Sequence, residues 1–441
     1  MKSLALASIL LLAVVPAFAD DPSAPNMAEP PSPLDLKGAI GYALDHNYAI
    51  LQAREAIRVQ EGMIVQVRGQ EIPNVNAQGQ YQRNAAAISQ TYPPADSLYS
   101  VELKATQNLY AGGGIRSAIK SAKFNRDAAA YDLQTAIDTA LLDVRTKFYN
   151  VILARDKIKV QEENIQLYQR QLADTQNQFE TGTVSNFEVL QVKVSLANAQ
   201  PLLISARNTY RIAIEQLRQS LGTRTKSPFP EVAGDLQFTR ESFDEASSIE
   251  AAHDHRPELS KYQKLQKASQ ENVTTARSTY YPNLQAFAGY EWGGFNYVDS
   301  SYGDISANGW LVGLQSNWAI FDGGMTAGKV HQAKALLEQA RLSEATEELE
   351  VDVEVRQALS TLQEAGELVT ASNQVIDEAT EALREADTKF HAGSATQLDV
   401  LTSQVALTQA KTDQLTANYN YLVALANVRK AIGLSDALVT P

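Results

Sequence analysis

The sequence predicts a mixed α+β chain, built by tandem duplication around two very long antiparallel helical hairpins. Apolar residues recur at seven-residue steps, without an intervening proline or glycine, at Ile137, Val144, Val151, Ile158, Ile165, Leu172 and Phe179. The spine returns 211 positions later at Val355, Leu362, Val369, Ile376, Leu383 and Phe390. A seven-residue spine of this length is typical of a helix that packs lengthwise against another helix. Each copy therefore supplies one such helix.

The duplication is free of gaps over the whole of both helical hairpins. Matching residues at the same 211-residue offset include Tyr110/Phe321, Gly112/Gly323, Arg145/Arg356, Gly182/Gly393, Leu190/Leu401, Tyr210/Tyr421, Arg218/Arg429 and Gly222/Gly433. We place the first repeat at residues 34–222 and the second at residues 244–433. Residues 223–243 form a linker without periodicity, and residues 434–441 form a C-terminal tail.

The N-terminus has the three parts of a secretory signal peptide. Lys2 provides the positive start, Leu4 to Val15 the apolar core, and Ala17-Phe-Ala19 the cleavage site. We expect residues 1–19 to be removed and residues 20–33, which are rich in proline and small polar residues, to form a flexible leader. The full sequence contains no cysteine and carries a net charge of −13. It must therefore be stable without disulfides, and its charge argues against nucleic acid as a partner.

The first repeat begins with a helix over residues 34–70 that we expect to break near His46-Asn47. A change to two-residue alternation predicts a β-hairpin at about residues 73–110. The helical hairpin follows over residues 114–222, and its first helix, from about Arg116 to Phe179, would be roughly 95 Å long at ~1.5 Å per residue. Pro201 predicts a kink, or a junction between two helical segments, in the return helix. Its counterpart in the second repeat is Thr412.

The second repeat predicts the same order of elements. A helix over residues 244–280 should break at Arg256-Pro257, and a β-hairpin follows at about residues 282–321. The second helical hairpin covers residues 324–433. In the β-hairpin of this repeat, one face of the second strand is expected to carry Trp310, Val312, Leu314, Trp318 and Ile320.

All four strands alternate between apolar residues and polar Asn, Gln, Glu, Lys or Thr, and aromatic residues lie near the strand ends. This alternation suits a barrel with lipid outside and water inside. An ordinary sheet with one solvated face has the same pattern, but the long helices and the export signal favour the barrel. Four strands cannot close a barrel, and lipid does not tolerate an open sheet edge. Several copies of the chain must therefore contribute to one barrel.

The chain resembles the TolC-type outer-membrane efflux proteins over nearly all of its mature length. The resemblance is carried by the duplication, by Tyr281-Pro282-Asn283-Leu284 opening a strand, and by Phe321-Asp322-Gly323-Gly324 opening a long helix. Two tip segments also carry it, residues 179–190 and 390–401. The family implies a homotrimer with a twelve-strand outer-membrane barrel and a twelve-helix periplasmic tunnel. It also implies a periplasmic adaptor and an inner-membrane pump as partners, no cofactor, and no catalytic activity.

The resemblance also implies roles for tip residues. The family pattern has two acidic residues three apart in the second tip, and here they correspond to Asp399 and Thr402. Three copies of Asp399 would form a carboxylate ring at the pore constriction, and Glu188 in the first repeat would form a second ring. An isolated carboxylate near a helix N-terminus, favoured by the helix dipole, is the simpler interpretation of Asp399. Gln191, the counterpart of Thr402, is a further candidate for lining the entrance.

Two more entrance candidates depart from the family pattern. Phe390 and Ala395 correspond to a tyrosine and an arginine that latch the closed entrance, and both lack the polar group that a latch needs. The turn residues are expected to contact the adaptor, although chain reversal alone would also explain their glycines. These residues are Gly182, Thr183, Val184, Gly393 and Ser394.

Three other functions compete with a passive exit duct. A periplasmic coiled-coil adaptor or scaffold would not need alternating strands flanked by aromatic residues, and a diffusion porin would not need such long helices. An enzyme is the weakest alternative, because the sequence contains no nucleophile–base pair, metal-ligand cluster or phosphate loop. His253 and His255 are two apart on a predicted helix, so they diverge and are expected to be solvated rather than metal-bound.

Overall fold

A computed structural model describes residues 29–85, 87, 92, 94–223, 228–299, 301, 303 and 305–434. The predicted signal peptide, most of the predicted leader and most of the predicted tail lie outside these residues. None of the helices in the described residues is both long enough and apolar enough to cross a membrane.

The two halves of the chain contain the same six elements in the same order, which confirms the predicted duplication. The first half consists of α1 (Leu36–His46), α2 (Tyr48–Arg68), β1 (Asn74–Arg83), β2 (Ala95–Ala111), α3 (Gly114–Glu180) and α4 (Asn186–Leu221). The second half consists of α5 (Glu245–His255), α6 (Pro257–Ser278), β3 (Asn283–Tyr297), β4 (Ile305–Asn317), α7 (Met325–His391) and α8 (Gln397–Ala431). The helix breaks predicted near His46 and Arg256 are both present. Helices α3 and α7 have 67 residues each, which corresponds to about 100 Å.

The four strands form one antiparallel sheet in the order β1-β2-β3-β4. Its register places apolar residues in rows across the strands, such as Ala77, Leu103, Tyr290 and Trp310. Neighbouring rows carry polar side chains, as in Gln78, Glu102 and Glu291. The register thus gives the sheet one apolar face and one polar face, as the alternation predicts. On the apolar face of β4, the exposed fractions of Trp310, Val312 and Leu314 are 77%, 67% and 68%.

The helices form four parallel columns beneath the sheet. Helix α3 packs against α4 and α2 on one side and against α8 and α6 on the other, and α8 and α6 in turn pack against α7. The order across the layer is therefore α2/α4, α3, α6/α8, α7. Helices α3 and α7 each run through a whole column, whereas the other two columns each consist of two helices placed end to end.

One side chain joins the two helices in each split column. Asn47 accepts hydrogen bonds from the Ala49 and Ile50 amides at the start of α2, and its Nδ2 donates to the Ser220 carbonyl at the end of α4 (2.7 Å). In the other column, Arg256 precedes α6 and donates to the Ala431 carbonyl at the end of α8 (3.3 Å). Both side chains are buried. They occupy matching positions in the two repeats.

The core lies along the predicted spines, where they meet the linker and the short helices. Val144, Val151, Val355 and Val369 are at most 1% exposed. The linker lies against this core: Tyr421 accepts a hydrogen bond from the Glu241 amide and donates one to the Thr239 carbonyl. The hydroxyl of a buried tyrosine thus fixes the linker to α8.

One of the two alternatives predicted at Pro201 does not occur, and the predicted end of the fourth strand is wrong. Helix α4 is a single helix that contains Pro201, so no junction between helical segments occurs there; its packing along α3 outweighs the lost backbone hydrogen bond. Strand β4 ends at Asn317, so Trp318 and Ile320 lie outside it and the second β-hairpin is shorter than residues 282–321. The cause is the partner strand, because β3 begins at Asn283, which pairs with Asn317.

Candidate pore entrance at the helix tips

The two helical hairpins reverse at similar glycine turns. Gly182 and Gly393 have φ values of 78° and 73°, which L side chains rarely adopt. The hydroxyl of Thr183 donates to the Gln178 carbonyl, and the hydroxyl of Ser394 donates to the Lys389 carbonyl. These hydroxyls close the ends of α3 and α7. Both glycines and both hydroxyl residues are exposed, whereas Val184 is half-buried.

Asp399 lies in the first turn of α8, where it forms half of a capping box. Its Oδ2 accepts hydrogen bonds from the Thr396 amide (2.8 Å) and the Thr396 hydroxyl (2.7 Å), and the Asp399 amide donates back to Thr396. These bonds from the side chain and backbone of Thr396 hold the pKa of the Asp399 carboxyl below its usual range. The carboxylate is therefore both charged at neutral pH and exposed.

Glu188 occupies the matching position in α4. Its Oε2 accepts a hydrogen bond from the Ser185 amide (3.1 Å), which completes the capping box of the first repeat. In the described part of the chain, no hydrogen bond or ion pair joins the Asp399 and Glu188 carboxylates to each other or to a side chain outside their own turns. The carboxylate rings that we expect these residues to form around a pore therefore stay predictions. In a single chain, Asp399 and Glu188 cap the starts of α8 and α4.

The remaining entrance candidates lie close by. The Thr402 hydroxyl is exposed and donates to the Leu398 carbonyl of its own helix (2.8 Å), and Gln191 is half-buried on α4. Phe390 lines a cavity of about 370 Å³ between α3, α7 and α8, together with Leu383, Val400 and Leu407. Ala395 is half-buried in the turn, and its amide donates to the Lys389 carbonyl. Neither Phe390 nor Ala395 offers the polar side chain of a latch.

The sequence reasoning missed a buried amide pair beside this cavity. Gln404 is 1% exposed, and its Nε2 donates to the Asn164 side-chain oxygen across the α3–α8 contact (3.1 Å). Gln397, one heptad earlier on α8, is 2% exposed. The signal was present as polar residues seven apart on an otherwise apolar stripe, a pattern that fixes helix register in coiled coils.

Large exposed apolar side chains concentrate on the outer columns of the helical layer. Helix α4 exposes Phe187, Leu190, Val194, Leu202, Ile204 and Ile212, and α7 exposes Met325, Leu336, Leu342, Leu349, Val353, Leu368 and Val375. The central helices α3 and α8 expose Phe179, Leu398 and Val405. Strands β1 and β4 are the two edge strands of the sheet, and each pairs with a single neighbouring strand among the described residues. Both layers therefore end in open edges at the same two flanks.

Known proteins share this architecture. Outer membrane protein TolC of Escherichia coli (strain K12) is 26% identical over 317 residues, which is 68% of this chain and 62% of TolC, under two thirds of that relative. Outer membrane efflux protein BepC of Brucella suis is 25% identical over 426 residues, covering 92% of this chain and 88% of BepC. The solved structure of the Campylobacter jejuni CmeC outer membrane channel superposes with a TM-score of 0.77 at 16% identity, over 90% of this chain and 85% of CmeC.

The family described as outer membrane efflux protein matches the chain twice, over residues 39–223 and 248–434. Each match covers one structural repeat, and together they span most of the chain. With its duplicated helical hairpins and four-strand sheet, the chain belongs to the outer membrane efflux protein family.

Proposed function

We propose that this protein is the outer-membrane exit duct of a tripartite efflux or type I secretion system, through which substrates pass without a catalytic step. The observation that carries the proposal is the pair of open edges, which the sheet and the helical layer share at the same flanks. Membership of the outer membrane efflux protein family supports the same conclusion.

Closure by three copies would remove every open edge. Three sheets of four strands make a twelve-strand barrel, and three sets of four columns make a twelve-column tunnel. A membrane-spanning sheet must close, because unpaired backbone groups in hydrocarbon cost several kcal/mol each. The apolar face of the sheet would meet lipid and the polar face would line water. The helical layer would then extend into the periplasm.

The charged tips suit the entrance of such a duct. Three copies of Asp399 would place three carboxylates around the axis, which attracts cations and repels anions at a constriction. Glu188 would add a second ring beside it. Because Thr402 replaces the second acidic residue of the family pattern, and its hydroxyl is used within α8, we assign Thr402 and Gln191 a lining role.

The partners we propose are a periplasmic adaptor and an inner-membrane pump. The adaptor would contact the exposed turns at Gly182-Thr183-Val184 and Gly393-Ser394, because they form the extreme ends of the two hairpins. Phe390 and Ala395 would leave the entrance without the latch of the family pattern.

The test is single-channel recording in planar bilayers with the purified protein. We expect discrete channels of uniform conductance that prefer cations. Asp399→Asn should keep an acceptor for the capping hydrogen bonds while removing the charge, so its cation preference should fall with conductance preserved. If the Asp399→Asn channels keep the same ion selectivity, the proposal of an exit duct still stands, but the proposal of a carboxylate ring at Asp399 is contradicted. If folded protein, verified by circular dichroism, never inserts, the duct is wrong and a periplasmic scaffold becomes the better interpretation.

A further inference from the structure

The apolar spine of α7 ends at a cavity. Its earlier members Val355 and Val369 are at most 1% exposed, because α5, α6 and α8 contribute to the same core cluster. Its last members, Leu383 and Phe390, are only half-buried, and they line the cavity of about 370 Å³ between α3, α7 and α8. Clefts of this volume are large enough to hold small molecules.

The other two helices complete the apolar part of the cavity. Leu167 comes from α3, and Val400 and Leu407 come from α8. Val400 is 2% exposed, whereas Leu167 and Leu407 are half-buried. A small apolar molecule in the cavity would therefore contact three helices at once and cover surface that the chain leaves partly exposed.

A buried amide lies among these apolar residues. Gln404 lines the cavity and is 1% exposed. Its Nε2 donates to the Asn164 side-chain oxygen at 3.1 Å and to the Asn164 carbonyl at 3.4 Å. Its Oε1 is buried and has no hydrogen-bond partner among the described residues. Because a buried acceptor without a donor is destabilising, Gln404 favours a ligand that can donate a hydrogen bond.

The hydroxyl groups that line the cavity are used within their own helices. Thr175 donates to the Gln171 carbonyl at 2.8 Å, and Thr380 donates to the Ile376 carbonyl at 2.7 Å. A threonine hydroxyl has one hydrogen to donate. Neither threonine therefore supplies the donor for Gln404, and a bound molecule can supply it.

The charged residues that line the cavity are exposed and carry both signs. Arg170 and Arg384 are balanced by Asp174 and Asp387, and the His391 Nε2 lies 3.7 Å from the Asp387 carboxylate. The buried residues of the lining, in the part of the chain that the structure describes, are all uncharged. A charged group that entered the apolar part would lose its water without gaining a buried counter-charge. The lining therefore favours a neutral ligand.

We propose that this cavity binds a neutral, mainly apolar molecule that carries one hydrogen-bond donor, such as an alkyl-substituted phenol. The ring and its alkyl group lie against Phe390 and Leu383, and the hydroxyl donates to the Gln404 Oε1. The terminal torsion of a glutamine is broad, so the amide can tilt toward the hydroxyl. The site is formed by one chain, so it does not depend on the multi-copy duct.

The first test compares two probes with the same apolar body. 4-Ethylphenol has a hydroxyl donor, whereas in 4-ethylanisole a methyl group replaces the hydroxyl hydrogen. Isothermal titration calorimetry of the folded, detergent-solubilised full chain, with detergent alone as the blank, measures both. We expect 4-ethylphenol to bind at one site per chain and 4-ethylanisole to bind about tenfold more weakly, because it leaves the Gln404 Oε1 unpaired. Equal affinities, or no saturable binding of 4-ethylphenol, would overturn the proposal.

A third probe tests the preference for a neutral ligand. 4-Ethylbenzoate is an anion at neutral pH and has a similar apolar body. We expect it to bind about tenfold more weakly than 4-ethylphenol, because the buried lining offers no cation. Tighter binding of 4-ethylbenzoate would contradict the neutral ligand and would point to Arg170 or Arg384 instead.

Two tryptophan variants of α8 locate the site. Leu407→Trp should fill much of the cavity and reduce the affinity for 4-ethylphenol about tenfold. Leu398→Trp is the matched control, because Leu398 is 58% exposed on the same helix and does not line the cavity. It should bind 4-ethylphenol like the parent protein, and circular dichroism checks that both variants are folded. Equal affinities in the two variants would show that the probe binds elsewhere.

A further variant tests the amide itself. Gln404→Met keeps the length of the side chain and removes the acceptor, so we expect this variant to bind 4-ethylphenol and 4-ethylanisole with equal affinity. A preference for 4-ethylphenol that persists in Gln404→Met would mean that another group accepts the hydroxyl. These measurements are also separate from those on the duct. Binding by a protein that forms no channels would keep the site and reject the duct, and channels without binding would do the reverse.

Discussion

Single side chains hold the split helical columns together. Asn47 is buried, starts α2 and holds the end of α4 through a bond to a residue 173 positions away. Arg256 does the same for α6 and α8, and it also bonds to Glu354 of α7 (2.7 Å). Each residue thus supplies hydrogen bonds to helix ends that would otherwise be unpaired.

Replacing Asn47 should separate its two functions. Asn47→Ala removes both the cap of α2 and the bond to Ser220, and we expect a loss of about 2 kcal/mol in unfolding free energy. Asn47→Ser keeps a capping oxygen but cannot reach Ser220, so it should cost about half as much. Thermal unfolding of the detergent-solubilised protein measures both. Equal losses in the two variants would mean that the cap contributes nothing, and no loss in Asn47→Ser would mean that the bond to Ser220 contributes nothing.

The capping role of Asp399 should depend on pH. The folded-state pKa lies below the usual value because of the hydrogen bonds from Thr396, so the charged form stabilises the fold. This contribution is complete above the unfolded-state pKa of about 4 and is lost as the pH falls through the lower folded-state pKa. We expect the difference in melting temperature between the parent protein and Asp399→Asn to be constant from pH 7 to 5. It should shrink below pH 4, and a difference that stays constant down to pH 2 would contradict the assignment.

At the scale of elements, the column joints depend on close backbone approach. Gly222 ends α4 with a φ of 72°, and a Cβ there would lie 2.1 Å from the His46 carbonyl oxygen. The tip glycine Gly182 has a similar φ of 78° but open space around it. Both positions therefore have the same left-handed backbone conformation, but only Gly222 is in close contact with another segment of the chain.

This difference predicts a matched pair of alanine variants. Gly182→Ala should lower the unfolding free energy by about 1 kcal/mol, the cost of left-handed backbone for an L residue. Gly222→Ala should lose roughly 1–3 kcal/mol more, because the joint must open to accept the methyl group. Calorimetric melting curves of the two variants provide the comparison, and equal losses would show that the joint is not tightly packed.

The proline within α4 provides a second comparison of elements. Pro201 lies inside a single helix, and its counterpart Thr412 lies in α8 with its hydroxyl donating to the Thr408 carbonyl. Pro201→Ala should restore a backbone bond and raise the unfolding free energy by up to about 3 kcal/mol, whereas Thr412→Pro should lower it by a similar amount. Denaturant titrations would detect both changes. No gain in Pro201→Ala would mean that α4 has adapted to the proline.

At the scale of the whole molecule, the exposed flanks imply assembly. Ile204 on α4 is 68% exposed, yet its counterpart Leu415 on α8 packs into the core cluster around Val144 and Phe148. In a closed ring, Ile204 would make the same contact with the next copy. The exposed apolar residues of one chain thus mark the positions that contact with the next copy would bury.

A charge at this position should prevent assembly. Ile204→Asp would bury an unpaired carboxylate at each contact, which is costly in an apolar interface, so we expect monomers in size-exclusion chromatography with helical content unchanged. Val405→Asp is the matched control, since Val405 is 57% exposed on the central helix α8 and should leave the trimer intact. If Ile204→Asp remains trimeric, α4 does not lie at the contact.

The features that the sequence predicted are those that depend on local pattern. The heptad spine around Val144 and its copy around Val355 predicted α3 and α7, because periodicity determines which face of a helix is buried. The end of β4 was wrong because apolar alternation at Trp318 and Ile320 continues beyond the last residue that β3 can pair. The double bonding of Asn47 was missed because it depends on a distant partner. The tip residues were located from the family pattern, and their pore roles stay predictions.

The split columns have a mechanical consequence. A pull along the long axis would be carried in two columns by the unbroken backbone of α3 and α7, and in the other two it would have to cross from one helix to the next. Those crossings, at Gly222 beside His46 and at Gly433 beside His255, are held by noncovalent contacts. Under tension the split columns should therefore separate first, at the level of these two joints. The continuous helices α3 and α7 would still connect the sheet to the tips.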